Sequence, residues 1–502
     1  MSEVARNELP VVVIGAGPVG LAAAAHLLER GLEPLVLEAG EAPGAAVASW
    51  GHVRLFSPWR YDVDAAARRL LAPTGWTEPD PDTLPTGREL VDGYLAPLAA
   101  TSPIASRLRT GTRVLAVARD GADKTRSLGR ERRPYRVRTV DAHGRVTDVL
   151  ARAVIDASGT FSTSNPLGVS GLPAAGEAEA APFVTGPLPD VLGASRDRFA
   201  GRHTLVVGMG HSAANTLLSL VELSESAPGT IVTWAIRGGS ARRLFGGGTD
   251  DELPARGLLG SCLREAVDAG RLRLLTRVSI EQLVPEGDPG AGTVRVLGTA
   301  KDEPLTLDVH AIVNATGFRP DLDMLREVRL DLDPIVEAPS ALAPLIDPNQ
   351  HSCGTVPPHG EQVLAHPDDG FYVVGMKSYG RAPTFLLATG YEQVRSVAAA
   401  LAGDRAAADA VELNLPATGV CSSDLALEAD GAAGGSWGGG GPGAPARGPR
   451  GVGGARGGGG GGGGAPRRPR GRGGGRRGGG GGGRGGGGRG RGGGRWCRRG
   501  SG

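Results

Sequence analysis

Two stretches of this chain combine glycines and one charged residue at spacings suited to holding a diphosphate. The first is G-A-G-P-V-G at residues 15–20, with a glutamate at position 38. In a G-x-G-x-x-G loop, Gly15 serves the tight turn, Gly17 lets phosphate approach the backbone, with Pro18 beside it, and Gly20 lets helix pack on strand. The helix that follows offers free N–H groups and a positive dipole end. Glu38, eighteen residues past Gly20, is placed to accept hydrogen bonds from a ribose diol and to repel a 2′-phosphate. The second stretch is G-M-G-H-S-A at residues 208–213, contributing Gly208, Gly210, Ser212 and Ala213. Here the acid is replaced by Arg237, with Arg242 and Arg243 close behind. A guanidinium at that point suits a 2′-phosphate through charge-assisted, bidentate bonds. One loop is therefore shaped for an adenine dinucleotide without a 2′-phosphate and the other for one that carries it. The pair points to hydride transfer from NADPH to a second redox dinucleotide, for which FAD is the natural acceptor.

The elements that must position these loops follow from residue pattern. Residues 11–14 are a β-branched run, 21–30 an Ala/Leu-rich helix and 34–37 a second strand, and the same succession recurs at 204–207, 214–225 and 231–236. Two further strands end in small residues: A-V-I-D-A-S-G finishes at Gly159 and A-I-V-N-A-T-G at Gly317. A strand ending at Gly375 and a helix over 384–402 complete the pattern. Thr86 with Glu89 reads as a capping box opening a helix through residue 98. Strands at 113–117 and 135–140 suggest a hairpin-rich insertion, with 120–133 as a loose polar connection. The segment 39–63 holds Trp50, His52, Arg54, Phe56 and Trp59, either a hydrophobic cluster beneath a loop or a wall for an aromatic ring.

Composition bounds the rest. The 502-residue chain is long enough for two or three domains, and its net charge of +2 joins two unlike parts. Residues 431–502 hold fifteen Arg, 40 Gly and no acid, so residues 1–430 carry −13. An acidic body shows no general bias toward nucleic acid, which leaves only residues 431–502 as a candidate for binding it. That tail cannot bury a core and is expected to be disordered. Four scattered cysteines without a C-x-x-C fit a reducing cytosol, and no apolar run is long enough for a membrane span, so a cytoplasmic protein is expected. Cys353, with His359 and His366 nearby, matches no zinc spacing, and no metal is expected.

The order of the two loops, together with Asp156–Gly159, Phe199-x-Gly201 and Asn314–Gly317, resembles the two-dinucleotide-binding-domain flavoproteins: flavin-containing monooxygenases, N-hydroxylases and thioredoxin-reductase-like enzymes. The resemblance covers roughly residues 9–403. It implies an α/β fold of two Rossmann-like domains, the first loop on FAD and the second on NADPH, with the NADPH domain inserted in the FAD domain. The expected boundaries are 9–197 and 306–425 for FAD, 198–305 for NADPH, and 426–502 for the tail. It further implies that Trp50, Arg54, Phe56 and Trp59 stand near the flavin, and that Gly159, Gly317 and Gly375 touch cofactor.

The monooxygenase branch is the nearer match. Its reaction would oxygenate a small soft nucleophile with O2 through a flavin C4a-(hydro)peroxide. The branch's F-x-G-x-x-x-H motif is missing; residues 188–191 read L-P-D-V, without histidine. The third FAD element reads G-M-K at 375–377 where the family has an acid after the glycine. An NADPH-dependent reductase or oxidase is therefore the rival reading, although the absent C-x-x-C excludes a dithiol reductase of that type. A homodimer is compatible with this family. No catalytic acid or base is identifiable.

Overall fold

The computed structural model describes residues 7–245, 254–347, 356–382 and 385–413. The Gly/Arg-rich tail, Cys353 and the side chain of Arg243 lie outside the described residues. The chain is α/β, built on two parallel five-stranded sheets.

In the first sheet, β1 (Val11–Ile14) is the centre. It leads through α1 (Pro18–Glu29) to β2 (Pro34–Leu37), and β3 (Leu108–Arg109) lies outside β2. On its other side β1 pairs with β7 (Ala153–Asp156), and β7 later receives β16 (Phe371–Val373), all in parallel register. The buried valines of β1 are held from both faces, because parallel βαβ units cover both sides of a sheet with helices. An antiparallel sheet of β4 (Thr112–Arg119), β5 (Tyr135–Asp141) and β6 (Val146–Ala151) leads up to β7.

The second sheet is inserted in sequence between β7 and β16. Its strands are β8 (Val184–Thr185), β9 (His203–Val207), β10 (Ile231–Ala235), β11 (Arg273–Leu275) and β15 (Ala311–Asn314). They lie in the order β11-β10-β9-β15-β8, all parallel. The helix α2 (His211–Ser226) links β9 to β10, and α3 (Pro254–Asp268) precedes β11. A three-stranded antiparallel sheet, β12 (Val278–Glu286), β13 (Thr293–Ala300) and β14 (Glu303–Val309), packs against it. Leu167, Ala174, Ala180 and Phe183 join that core beside Leu205 and Val207, so the second sheet's packing draws on chain ahead of residue 198. Finally α4 (Leu387–Leu401) returns to the first sheet and packs on α1 through Val394, Val397 and Ala398.

The Thr86–Glu89 capping box is formed as its sequence suggests, with Glu89 N–H on Thr86 Oγ1 at 3.1 Å and Thr86 N–H on Glu89 Oε2 at 2.7 Å. The connection over 120–133 is not loose. Arg130 crosses to Asp368 in a buried bidentate pair at 2.7 and 2.8 Å, and Tyr135 Oη donates to the Asp369 carbonyl. A distant carboxylate, invisible in local composition, pins that segment. Cys262 is buried on α3. Among the described residues no helix is long and apolar enough to cross a membrane.

Candidate functional site: two nucleotide crevices

In each sheet the chain leaves the central strand in one direction and arrives at its other neighbour from elsewhere. This opens a crevice at the strands' carboxyl ends, the point where such sheets take ligands. In the first sheet the crevice lies between β1 and β7, and in the second between β9 and β15.

The first crevice is lined by residues 15–20 and 156–159. Gly15 has φ +98°, and a Cβ there would stand 2.9 Å from the Ala157 carbonyl oxygen. A Cβ on Gly20 would meet the Gly15 carbonyl oxygen at 2.0 Å, so only glycine allows this turn to close on the helix. Gly17 differs: a Cβ there would meet nothing within 4 Å. Its backbone faces open space, at the N-terminus of a twelve-residue helix that no side chain caps and that has Pro18 at its first position. Glu38 Oε2 accepts from the Ala16 N–H at 2.6 Å and Oε1 from the Gly40 N–H at 2.7 Å. A carboxylate has about four acceptor sites, so these bonds aim the group beside the glycine loop and leave capacity for ribose hydroxyls.

The second crevice repeats this plan. Gly208 has φ +136° and a Cβ on it would stand 1.9 Å from the Ala315 carbonyl oxygen, while Gly210 faces open space. Gly210 heads the sixteen-residue α2, again without a side-chain cap, with Ser212 half-buried and Ala213 fully buried against the strand layer. Here Arg237 follows the second strand, two residues past its end at Ala235. Its Nη2 donates to the carbonyls of Pro166 at 3.1 Å and Gly168 at 2.8 Å. A cavity of about 160 Å³ runs past Gly208, Met209, Ile236 and Arg237 to Val278 and Ile280. Its walls are largely apolar, as a flat heterocycle requires, with a guanidinium at the edge.

The residues that end β7 and β15 also correspond. Asp156 Oδ1 accepts from Ser158 N–H at 3.1 Å and Ser158 Oγ at 2.6 Å. Asn314 Oδ1 accepts from Thr316 N–H at 3.2 Å and Thr316 Oγ1 at 2.6 Å. The two chain crossings meet at Asn165, whose N–H donates to the Gly317 carbonyl and whose carbonyl accepts from Asn314 and Thr316. Phe161 and Phe318 stack alongside, ring centroids 5.3 Å apart.

This geometry agrees with comparison to known proteins. Residues 10–165, which contain β1, the glycine loop, Glu38 and β7, match the family model of FAD-dependent oxidoreductases. Those residues are an FAD-dependent oxidoreductase domain. Among solved structures the chain resembles the bacillithiol disulfide reductase of Bacillus cereus, with TM-score 0.57, 18% identity, and 79% of this chain and 99% of that one covered. It also resembles the FAD-bound cadaverine monooxygenase of desferrioxamine biosynthesis from Erwinia amylovora, with TM-score 0.54, 15% identity and coverage of 82% and 99%. A third is the ornithine N-hydroxylase of Kutzneria, solved with reduced FAD, NADP+ and L-ornithine, with TM-score 0.50, 17% identity and coverage of 78% and 98%. At these identities the structures establish a shared fold.

The FAD-dependent domain treats its aromatic segment unevenly. Trp59 is buried in the core of the first sheet. The Trp50 ring lies against Gly87, where a Cβ would come within 2.8 Å of it. Arg54 is exposed and donates to the Leu84 carbonyl. Phe56 alone of the four reaches across, packing edge-on against His211 at the start of α2, centroids 5.3 Å apart. Gly375, with φ +68°, is held by its N–H on Gln393 Oε1 at 2.8 Å and fits against Val19 of α1, at 3.3 Å from the position of an added Cβ.

The residue that local pattern could not assign is Lys377. Its Nζ lies 2.7 Å from Asp156 Oδ2 and 3.1 Å from Ser158 Oγ, and the Lys377 and Asp156 side chains have no exposed surface. The carboxylate missing after Gly375 is thus found on the neighbouring strand, already paired. His359 and His366, considered earlier with Cys353, are buried. His359 Nδ1 donates to the Pro357 carbonyl and its Nε2 accepts from Gln393, while His366 Nδ1 accepts from the Asp331 N–H. Burial lowers both imidazoles, His366 to about 4. Among the described residues no group of three or more such side chains is arranged to hold a metal.

Proposed function

We propose that this chain is an NADPH-consuming FAD monooxygenase acting on a small soft nucleophile. The observation that carries the first half is the opposite charge just past the second strand of two similarly built crevices, Glu38 in one and Arg237 in the other. Bound FAD would take hydride from the nicotinamide and, once reduced, supply electrons to O2. The residues do the remaining work. The N–H groups opening α1 and α2 hold the two diphosphates, Glu38 takes a ribose diol, and the Arg237 guanidinium takes a 2′-phosphate. Phe56 on His211 and Phe161 on Phe318 keep apolar surface where the two halves meet, which favours exclusion of water from a reactive centre. The absence of any C-x-x-C in the sequence favours oxygen over a dithiol as electron acceptor.

The rival, an NADPH-dependent flavoprotein reductase or oxidase, is favoured by one observation: residues 188–191 carry no histidine. Val191 instead packs into the second core and Asp190 caps the backbone at Gly193 and Ala194. Anaerobic reduction of the FAD-loaded chain by NADPH and NADH, then admission of O2 with candidate amines and thiols, separates these readings. An oxygenated product supports the monooxygenase. Stoichiometric hydrogen peroxide with no product moves the assignment to the oxidase. Failure of NADPH to bleach the flavin overturns both.

A further inference from the structure

We infer that Arg277 is a second guanidinium for the 2′-phosphate of the dinucleotide at the Arg237 crevice, an assignment that rests on the NADPH reading above. Arg277 lies forty residues beyond Arg237, in the turn from β11 to β12, and no loop motif marks it. The tertiary structure ties it to the Arg237 loop by two bonds. Its N–H donates to the Gly238 carbonyl at 3.0 Å, and the Val278 N–H beside it donates to the Ile236 carbonyl at 3.0 Å. The guanidinium lies across Gly239: its Nε is 3.5 Å and an Nη 4.0 Å from where a Cβ on Gly239 would be. Val278, the next residue, lines the cavity that Arg237 edges.

Two observations argue that this placement serves a ligand. First, Arg277 has φ +50°, the left-handed region that disfavours residues with a Cβ. Glycine would relieve that conformation, yet a long cation occupies it. Second, the charge has no acidic partner among the described residues. Arg237, Arg242 and Arg277 follow or face the same loop, and among the described residues none of the three pairs with a carboxylate. Elsewhere in this acidic body Arg68, Arg69, Arg130, Arg136 and Arg295 do form such pairs. A loop edged by unpaired guanidinia, next to an apolar cavity and an uncapped helix N-terminus, has the chemistry for a dianionic phosphomonoester on an adenine nucleotide.

The test is calorimetric titration of the FAD-loaded full chain with 2′,5′-ADP and with 5′-AMP, which differ by the 2′-phosphate alone. The wild type should prefer 2′,5′-ADP. Arg277→Gly removes the guanidinium and also the left-handed strain, so its melting temperature should hold or rise. Its affinity for 2′,5′-ADP should fall roughly tenfold while that for 5′-AMP stays unchanged. Arg277→Lys should recover part of the loss. An unaltered preference in Arg277→Gly overturns the inference and leaves the role of Arg237 standing. Absence of any preference in the wild type overturns both.

Discussion

The two crevices share a backbone and differ in charge. Each has a positive-φ glycine backed by the carbonyl of an alanine on the neighbouring chain crossing, Gly15 on Ala157 and Gly208 on Ala315. Each has an open glycine at a helix N-terminus and a strand-ending Asx residue bonded to a hydroxyl two residues on. The first crevice then places Glu38 beside its glycine loop and a buried Lys377–Asp156 pair in its floor. The second places Arg237 and Arg277 at its rim and the neutral Asn314 in its floor. Under the proposed function, backbone geometry makes a generic diphosphate cradle and a few charged side chains decide which nucleotide enters. The buried pair teaches a further point: the Lys377–Asp156 charges compensate each other within the fold, whereas Arg237 is held by the Pro166 and Gly168 carbonyls and has no carboxylate partner among the described residues.

That contrast is broken most severely at Lys377. Lys377→Met leaves Asp156 buried without its cation and should cost about 3–5 kcal/mol. Adding Asp156→Asn should recover much of the loss and make the first floor resemble the second. Urea unfolding of the single and double variants measures both, and an additive result would show that the pair is not coupled.

The loop glycines sharpen the comparison at the next level. Gly20→Ala drives a methyl into the Gly15 carbonyl and should destabilise the fold by roughly 2–4 kcal/mol. Gly17→Ala meets no protein atom, so stability should be kept while FAD affinity drops at least ~10-fold as the methyl occupies phosphate space. Equal losses of stability in the two variants would contradict these distinct roles.

The first half also carries a pH liability. Asp62 is fully buried beside α4: Ser57 donates to Oδ1, the Tyr391 hydroxyl to its backbone carbonyl, and Oδ2 has no partner. Burial pushes its carboxyl up to about 7. The folded form stays protonated while the unfolded chain ionises from about pH 4, so stability falls between about pH 4 and 7 and levels off above. Asp62→Asn should flatten that slope and raise the melting temperature at pH 8, a gain on the order of 1–3 kcal/mol. An unchanged profile would show that Asp62 is ionised in the fold.

The smallest effect is on selectivity. Arg237→Ala should lower the NADPH over NADH preference in kcat/KM about 10-fold, about 1.4 kcal/mol, with flavin content unchanged. A drop shared equally by both nucleotides would place Arg237 on the diphosphate instead.

Much of this was legible locally. Strand, glycine loop, helix, second strand and terminal charge lie within residues 11–38 in one fingerprint and 204–237 in the other, and their physics is the fit of one backbone turn to one helix end. Glu38 and Arg237 could therefore be read where they stand. The aromatic segment was not legible in the same way, because Trp50, Arg54, Phe56 and Trp59 share composition but go to a glycine, a carbonyl, a histidine ring and the core. Nor could sequence distinguish a loose connection from residues 120–133, since the acid that fixes Arg130 is 238 residues away.

The sequence by itself determined the two nucleotide fingerprints and the sign of charge at each, because those depend on interactions within one βαβ unit. Only the tertiary structure decided that Asp156 is neutralised by Lys377, 221 residues distant, that both chain crossings close on Asn165, and that Arg277 lies across the Arg237 loop. Burial of charge and convergence of cations depend on which strands become neighbours, and strand order is a property of the packed sheets.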